Sequence, residues 1–288
     1  MLKKISVILV LLAFTLSACT INGRTISFSS DRVIGSGNVV TEERDISEVN
    51  MVDLKAVGNL TIEIGDEESF TITADDNLMK YITSDVFNHT LEIDMEPNFS
   101  FDPTTSIEYK LVVKELKSVV LSGFGNITVG DLTSEDLEIK LAGSGDINLG
   151  TLHCENALLR VSGFGDITAD TMVIDQPSLE ITGSGNMTVE DLQAFDLNLK
   201  ISGFGNAELS GKADDQEIQI LGSGNYDGQD LKSDNAVVKI TGLGDASVWA
   251  EEKLDVTITG SGNLEYYGSP EVTQTMSGFG KVNSMGEH

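Results

Sequence analysis

The sequence predicts an all-β chain wound into a right-handed parallel β-helix, a prediction that rests on three observations. A Gly-x-Gly marker begins at Gly123, Gly143, Gly163, Gly183, Gly203, Gly222, Gly242, Gly260 and Gly278, in steps of 20, 20, 20, 20, 19, 20, 18 and 18 residues, and Asn or Asp follows the first eight copies. Between markers, apolar and polar residues alternate: Leu137, Ile139 and Leu141 against Glu138 and Lys140, the pattern of a strand with one buried face. Aligned on the first glycine, the units place like on like. Ile139, Leu159, Leu179, Leu199, Ile218, Val238 and Val256 fall four residues before it, and Leu141, Val161, Ile181, Ile201, Ile220, Ile240 and Ile258 fall two before. A fixed period with matching slots is the mark of a solenoid in which each unit is one coil.

Each unit reads as strand, turn, strand, corner. After the glycines, Ile147 and Leu149 resume the alternation around Asn148, and Leu152 follows a corner. Leu132, Leu152, Met172, Leu192 and Leu231 make a third apolar ladder nine residues after the glycine. Parallel strands lie ~4.8 Å apart, so the nine coils span roughly 40 Å. Right-handed connection is the rule for parallel strands, which sets the expected hand. The glycines answer a sharp bend that needs positive φ or close approach of neighbouring coils. Asn and Asp beside them bond readily to nearby backbone. The residue between the glycines alternates as Phe124, Ser144, Phe164, Ser184, Phe204, Ser223, Leu243, Ser261 and Phe279, so the full repeat is two coils, and each ring has the space of two layers.

Taken in chain order, residues 1–18 carry Lys3 and Lys4, an apolar run from Ile5 to Leu16 and small residues before Cys19, the layout of a cleavable export signal. The run is short for a membrane span of roughly twenty residues. Leu16-Ser17-Ala18-Cys19 resembles the lipobox of bacterial lipoproteins, which implies cleavage before Cys19 and diacylglycerol on its sulfur. Two or more acyl chains hold a soluble domain durably on a bilayer. Thr20 after the lipidated cysteine, rather than Asp, favours outer-membrane sorting in a two-membrane host. Residues 19–39 read as lipidated cysteine and tether, with one stray marker copy, Gly35-Ser36-Gly37-Asn38. Residues 40–120 lack the marker but alternate, as in Leu60-Thr61-Ile62-Glu63-Ile64, and read as an N-terminal β cap. The repeats occupy 121–284.

Arg44-Asp45-Ile46 with the strands after it, Ala74-Asp75-Asp76-Asn77-Leu78, and turns of the type Gly143-Ser144-Gly145-Asp146-Ile147-Asn148 resemble the autotransporter adhesin head GIN domain family. The resemblance covers about residues 45–270 as a single domain. It implies a right-handed β-helix on exported proteins or lipoproteins of bacteria, and it carries over no catalytic residue.

The formal charge of −28, or −30 once Lys3 and Lys4 are removed with the signal, repels phosphate and sets nucleic acid aside as a partner. With Cys19 acylated, Cys154 is the only other cysteine, so no intrachain disulfide forms, and His153 beside it points to the opposite side of a strand. Asn126, Asp146, Asp166, Asn186, Asn206, Asn225, Asp245 and Asn263 share one turn slot. So much neutral Asn suits a hydrogen-bonded ladder better than a cage of anionic calcium ligands, and no metal or cofactor is expected. Two ladders are candidate binding surfaces. Lys140, Arg160, Lys200 and Lys239 form an outward basic stripe, which either grips acidic glycans or relieves the charge of Glu138, Glu180 and Glu217. Phe124, Phe164 and Phe204 would recur every ~10 Å, and either stack on sugar rings or fold back over a corner of the core. The acids Asp131, Asp170, Asp191 and Asp230 sit at corners, and none of His89, His153 and His288 has a catalytic setting. The expected role is a non-enzymatic envelope lipoprotein that binds a glycan or a surface protein. A carbohydrate-active β-helix enzyme and a purely structural envelope component are the alternatives.

Overall fold

The computed structural model describes residues 31–288, and the expectations for the export signal and Cys19 lie outside them. The coils are the long bent strands Leu132–Leu141, Ile147–Val161, Ile167–Ile181, Met187–Ile201, Ala207–Ile220, Tyr226–Ile240 and Ala246–Ile258, each interrupted from the next only by a glycine turn. Successive strands pair in parallel and in the expected register: Leu159 lies beside Leu179, and Leu179 beside Leu199. The apolar slots all face inward, and the core is one continuous column from Val49 to Leu264.

Each coil has three faces. In Ile147–Val161 the inward residues are Ile147, Leu149, Leu152, Cys154, Ala157, Leu159 and Val161. The alternation breaks at Gly150-Thr151 and again at Glu155-Asn156, where two successive side chains stay out of the core. These breaks are two corners, and the glycine turn is the third. The sequence suggests only one corner besides the turn, because the short face Leu152–Cys154 has too few residues to show an alternation of its own. The ladder of Leu132, Leu152, Met172, Leu192 and Leu231 heads this face, with Gly211 filling the missing place opposite Leu192.

The segment before the array is more regular than its sequence. Met51–Leu54 and Asn59–Ile64 form a coil in register beneath the first marker, with Val52 beside Val119 and Leu60 beside Ile127. Their turn, Ala56-Val57-Gly58-Asn59, is the marker with alanine for the first glycine. Below it lies an outermost layer, Thr90–Met95 and Glu108–Val113, which comes later in the chain than the coil it covers. Antiparallel strands then close the end: Ser69–Asp75 pairs with Glu108–Val113, Val39–Arg44 with Ser69–Asp75, and Ile82–Phe87 with Thr90–Met95. A change to antiparallel pairing ends the stack and removes an edge that another chain could extend.

Residues 31–39 belong to this cap and not to a tether. Asp31–Ile34 pairs in parallel with Phe99–Asp102. The stray marker is latched by the Asp75-Asp76-Asn77 run. The buried Asp75 carboxylate accepts hydrogen bonds from the Gly37 amide at 2.7 Å, the Thr104 amide at 2.8 Å and the Thr104 hydroxyl at 2.6 Å. Asp76 accepts from the Ser36 hydroxyl and Asn38 Nδ2, and Asn77 Oδ1 accepts from the Ser36 amide. At the other end, Glu271–Met276 and Val282–Gly286 form the last layer, so the array runs two residues past the expected 284.

Candidate functional site: the glycine-turn edge

The turns stack so closely that a side chain on either glycine would overlap the coil below. A Cβ on Gly163 would lie 2.1 Å from the Gly143 carbonyl oxygen, and one on Gly165 would lie 2.0 Å from that of Gly145. Close approach, rather than positive φ, is therefore what most of the array requires. The Asn/Asp slot ties the layers together. Oδ1 of each member accepts the backbone N–H of its counterpart one coil on: Asp146 to Asn126 at 2.9 Å, Asn186 to Asp166 at 2.7 Å, Asn225 to Asn206 at 2.9 Å, and so through to Lys281 on Asn263 at 3.1 Å. The side-chain amides of Asn186, Asn206, Asn225 and Asn263 donate down the same ladder. This is the turn ladder the residue types suggest. Among the described residues, no group of three or more His, Cys, Asp and Glu is arranged to hold a metal ion.

Pinned in this way, the middle residue of each turn points to solvent. Phe124 is 66% exposed, Phe164 and Phe204 are 74% exposed, and Leu243 and Phe279 continue the row at 67% and 93%. The rings do not fold back over the core. From Phe124 onward they stand out as a comb, a tooth every second layer with serines between, and Val57 adds a smaller apolar side chain in the layer directly below Phe124. The comb is longer than the three phenylalanines singled out from sequence, and Val57 was hidden by the missing first glycine of its turn.

The basic stripe lies on the face leading into the turns, and its charge is largely met. Lys140 pairs with Glu138 at 2.6 Å, Arg160 with Glu180 at 2.7 Å, and Lys239 with Glu217 at 2.7 Å. The Lys239 ammonium, helped by the Gln219 amide, holds the Glu217 carboxyl below its ordinary range. Lys200 sits beside Glu180 in register, but Arg160 occupies that carboxylate. Cys154 faces the core, where burial pushes its thiol up, and His153 faces outward. The corner acids Asp131, Asp170 and Asp230 are exposed and spread over different layers.

Fold and edge together define a β-solenoid whose surface chemistry is carried by side-chain ladders along its length. The chain belongs to the family described as "Putative auto-transporter adhesin, head GIN domain", whose model matches residues 48–177 and again 170–270. The two matches meet inside the strand Ile167–Ile181, which keeps its register on both sides, so they are halves of one continuous rod. Solved structures of similar proteins include one called a putative adhesin from Parabacteroides distasonis, at 26% identity and TM-score 0.68, covering 88% of this chain and 100% of its own. Another called a putative adhesin, from Parabacteroides merdae, shares 26% identity at TM-score 0.67 over 88% and 99% of the two chains. A third, called a putative lipid binding protein, also from Parabacteroides distasonis, shares 26% identity at TM-score 0.64 over 88% and 100%. No curated protein sequence matches.

Proposed function

We propose that this chain is an exported, non-enzymatic adhesin-type lipoprotein, anchored through Cys19, that binds a glycan or a surface protein along its glycine-turn edge. The observation that carries this reading is the exposed comb of Phe124, Phe164, Phe204, Leu243 and Phe279. Phenylalanine rings held out in water on a backbone fixed by a hydrogen-bonded ladder cost solubility and add nothing to the core. A rigid row of aromatic faces ~10 Å apart suits repeating sugars or an extended apolar strip on a partner. The family and the relatives called putative adhesins support the class of role. The paired state of Lys140, Arg160 and Lys239 makes the basic stripe a support for the acidic surface rather than the main contact, with Lys200 left to meet an anion. The lipobox resemblance supports the anchor, with the outer membrane as its site in a two-membrane host.

The test is a glycan array and an envelope pull-down with the wild-type protein and the triple variant Phe124→Ser, Phe164→Ser, Phe204→Ser. Retained folding with lost binding is the expected result; equal binding by both proteins removes the comb from the reading. Incorporation of a tagged fatty acid, lost in Cys19→Ala, checks the anchor separately.

A further inference from the structure

A second surface lies away from the comb, where the one 19-residue step in the middle of the array changes the shape of the rod. Val189-Glu190-Asp191-Leu192 is followed one coil on by Leu209-Ser210-Gly211, a residue shorter, and the pairing slips between Val189 and Leu192. Gly211 takes φ +119°, and a Cβ there would sit 2.2 Å from the Leu192 carbonyl oxygen, so this place admits glycine alone. The next coil, with Leu231, regains full length. The result is a dent one layer high on the short third face, a notch of about 410 Å³. Val173, Asp191, Gly211 and Lys212 line it together with Phe195, which is 58% exposed.

Phe195 is the exception in its own ladder. By register the slot reads Glu135, Glu155 and Asp175 on one side of it and Asp214 and Asp234 on the other. A single aromatic ring thus stands in an otherwise acidic edge, beside the dent. Of the carboxylates that line the notch, Asp214 is paired with Lys212 at 3.2 Å. Asp191 has only a long contact from Gln193 Nε2 at 3.4 Å, and Asp175 forms no ion pair among the described residues. Lys212, which also lines the notch, is taken up by its pair with Asp214, so the notch offers one aromatic face and two carboxylates that form no ion pair among the described residues.

We infer that the notch at Phe195 is a docking site for an arginine or lysine side chain on a basic segment of a partner protein. The face of a phenyl ring attracts a cation. The Asp175 and Asp191 carboxylates supply the opposite charge, and the dent admits a long side chain lying along Val173. The net charge of −28 steers a basic partner toward the rod from a distance, and the notch fixes where it lands. An anionic segment meets repulsion there. This inference does not depend on the role of the comb.

The experiment is fluorescence anisotropy of a labelled peptide of alternating arginine and glycine against the purified full chain, with an alternating serine-glycine peptide as control. The arginine peptide binds and the serine peptide does not. Phe195→Ala weakens binding by about tenfold, as does the pair Asp175→Asn with Asp191→Asn. The pair Glu135→Gln with Glu155→Gln, which removes the same charge from the same edge outside the notch, changes affinity by no more than about twofold. Equal losses from the two carboxylate pairs would assign the binding to the general field and overturn the inference. So would an unchanged affinity in Phe195→Ala, or a neutral oligosaccharide whose binding depends on Phe195. Because Phe195 and all four acids are outside the core, circular dichroism of each variant separates lost binding from lost folding.

Discussion

At the scale of single residues the turn decides how closely coils can stack, and two substitutions measure that. Gly165→Ala places a methyl group 2.0 Å from the Gly145 carbonyl oxygen, and relief requires the two coils to move apart along several hydrogen bonds. A loss of roughly 2–3 kcal/mol is expected, read as a shift in the urea midpoint. Asn206 tests the ladder itself. In Asn206→Ala the Asn225 amide loses its acceptor, at a cost of about 1 kcal/mol. Asn206→Asp keeps that acceptor and gives up only the 3.2 Å bond from Nδ2 to Asn186, so it falls between alanine and wild type. If aspartate proves as damaging as alanine, the backbone-to-side-chain bond is not what holds the layers.

At the scale of elements the N-terminal cap is held by charge as well as by packing. Donation from the Thr104 hydroxyl and amide, and from the Gly37 amide, keeps the Asp75 carboxyl below its ordinary value of 3.8. Bonds from Asn38 and Ser36 do the same for Asp76. A carboxyl with a depressed folded-state pKa contributes stability that is present above its unfolded value and lost as pH falls through the folded value. The latch should therefore be intact at neutral pH and loosen as pH drops below about 4. Hydrogen exchange at Gly37 and Thr104 is expected to rise there before exchange in the central coils does. In Asp75→Asn only one side-chain oxygen is left to accept, and the Gly37 and Thr104 amides use different oxygens, so fast exchange at one of the two should already be present at pH 7.

At the scale of the whole molecule the rod is a one-dimensional stack in which each coil contacts mainly its neighbours, so its length is adjustable in units the ladders permit. Deleting residues 147–186 removes two coils and joins Asp146 to Met187, so Met187 takes the slot of Ile147 and the phenylalanine-serine alternation is preserved. The shortened chain is expected to fold and to be about 10 Å shorter by small-angle scattering. Deleting residues 127–146 removes one coil and sets Phe124 directly beneath Phe164. That variant should melt lower than the two-coil deletion despite being longer. If the order reverses, the alternation of rings and serines does not matter to stacking.

The sequence by itself determined the array: the nine markers, the inward slots, the parallel register and the hydrogen-bonded Asn/Asp turn slot. A repeat imposes the same local geometry on every coil, so one-dimensional spacing already states which residues touch. Only the tertiary structure decided what breaks the repeat. The coil at Met51–Ile64 was masked because alanine replaces one glycine. The outermost layer was hidden because its strands lie out of chain order, and residues 31–39 were drawn into the cap by hydrogen bonds to Asp75, Asp76 and Asn77, up to 43 residues away. The exposure of Phe164 and the pairing of Arg160 with Glu180 were each one of two outcomes the sequence allowed. They were settled by how tightly neighbouring turns pack and by which carboxylate lies one layer on. Phe195 carried a signal, an aromatic in an acidic slot, but that slot becomes visible only once the second corner and the shortened coil have set the register.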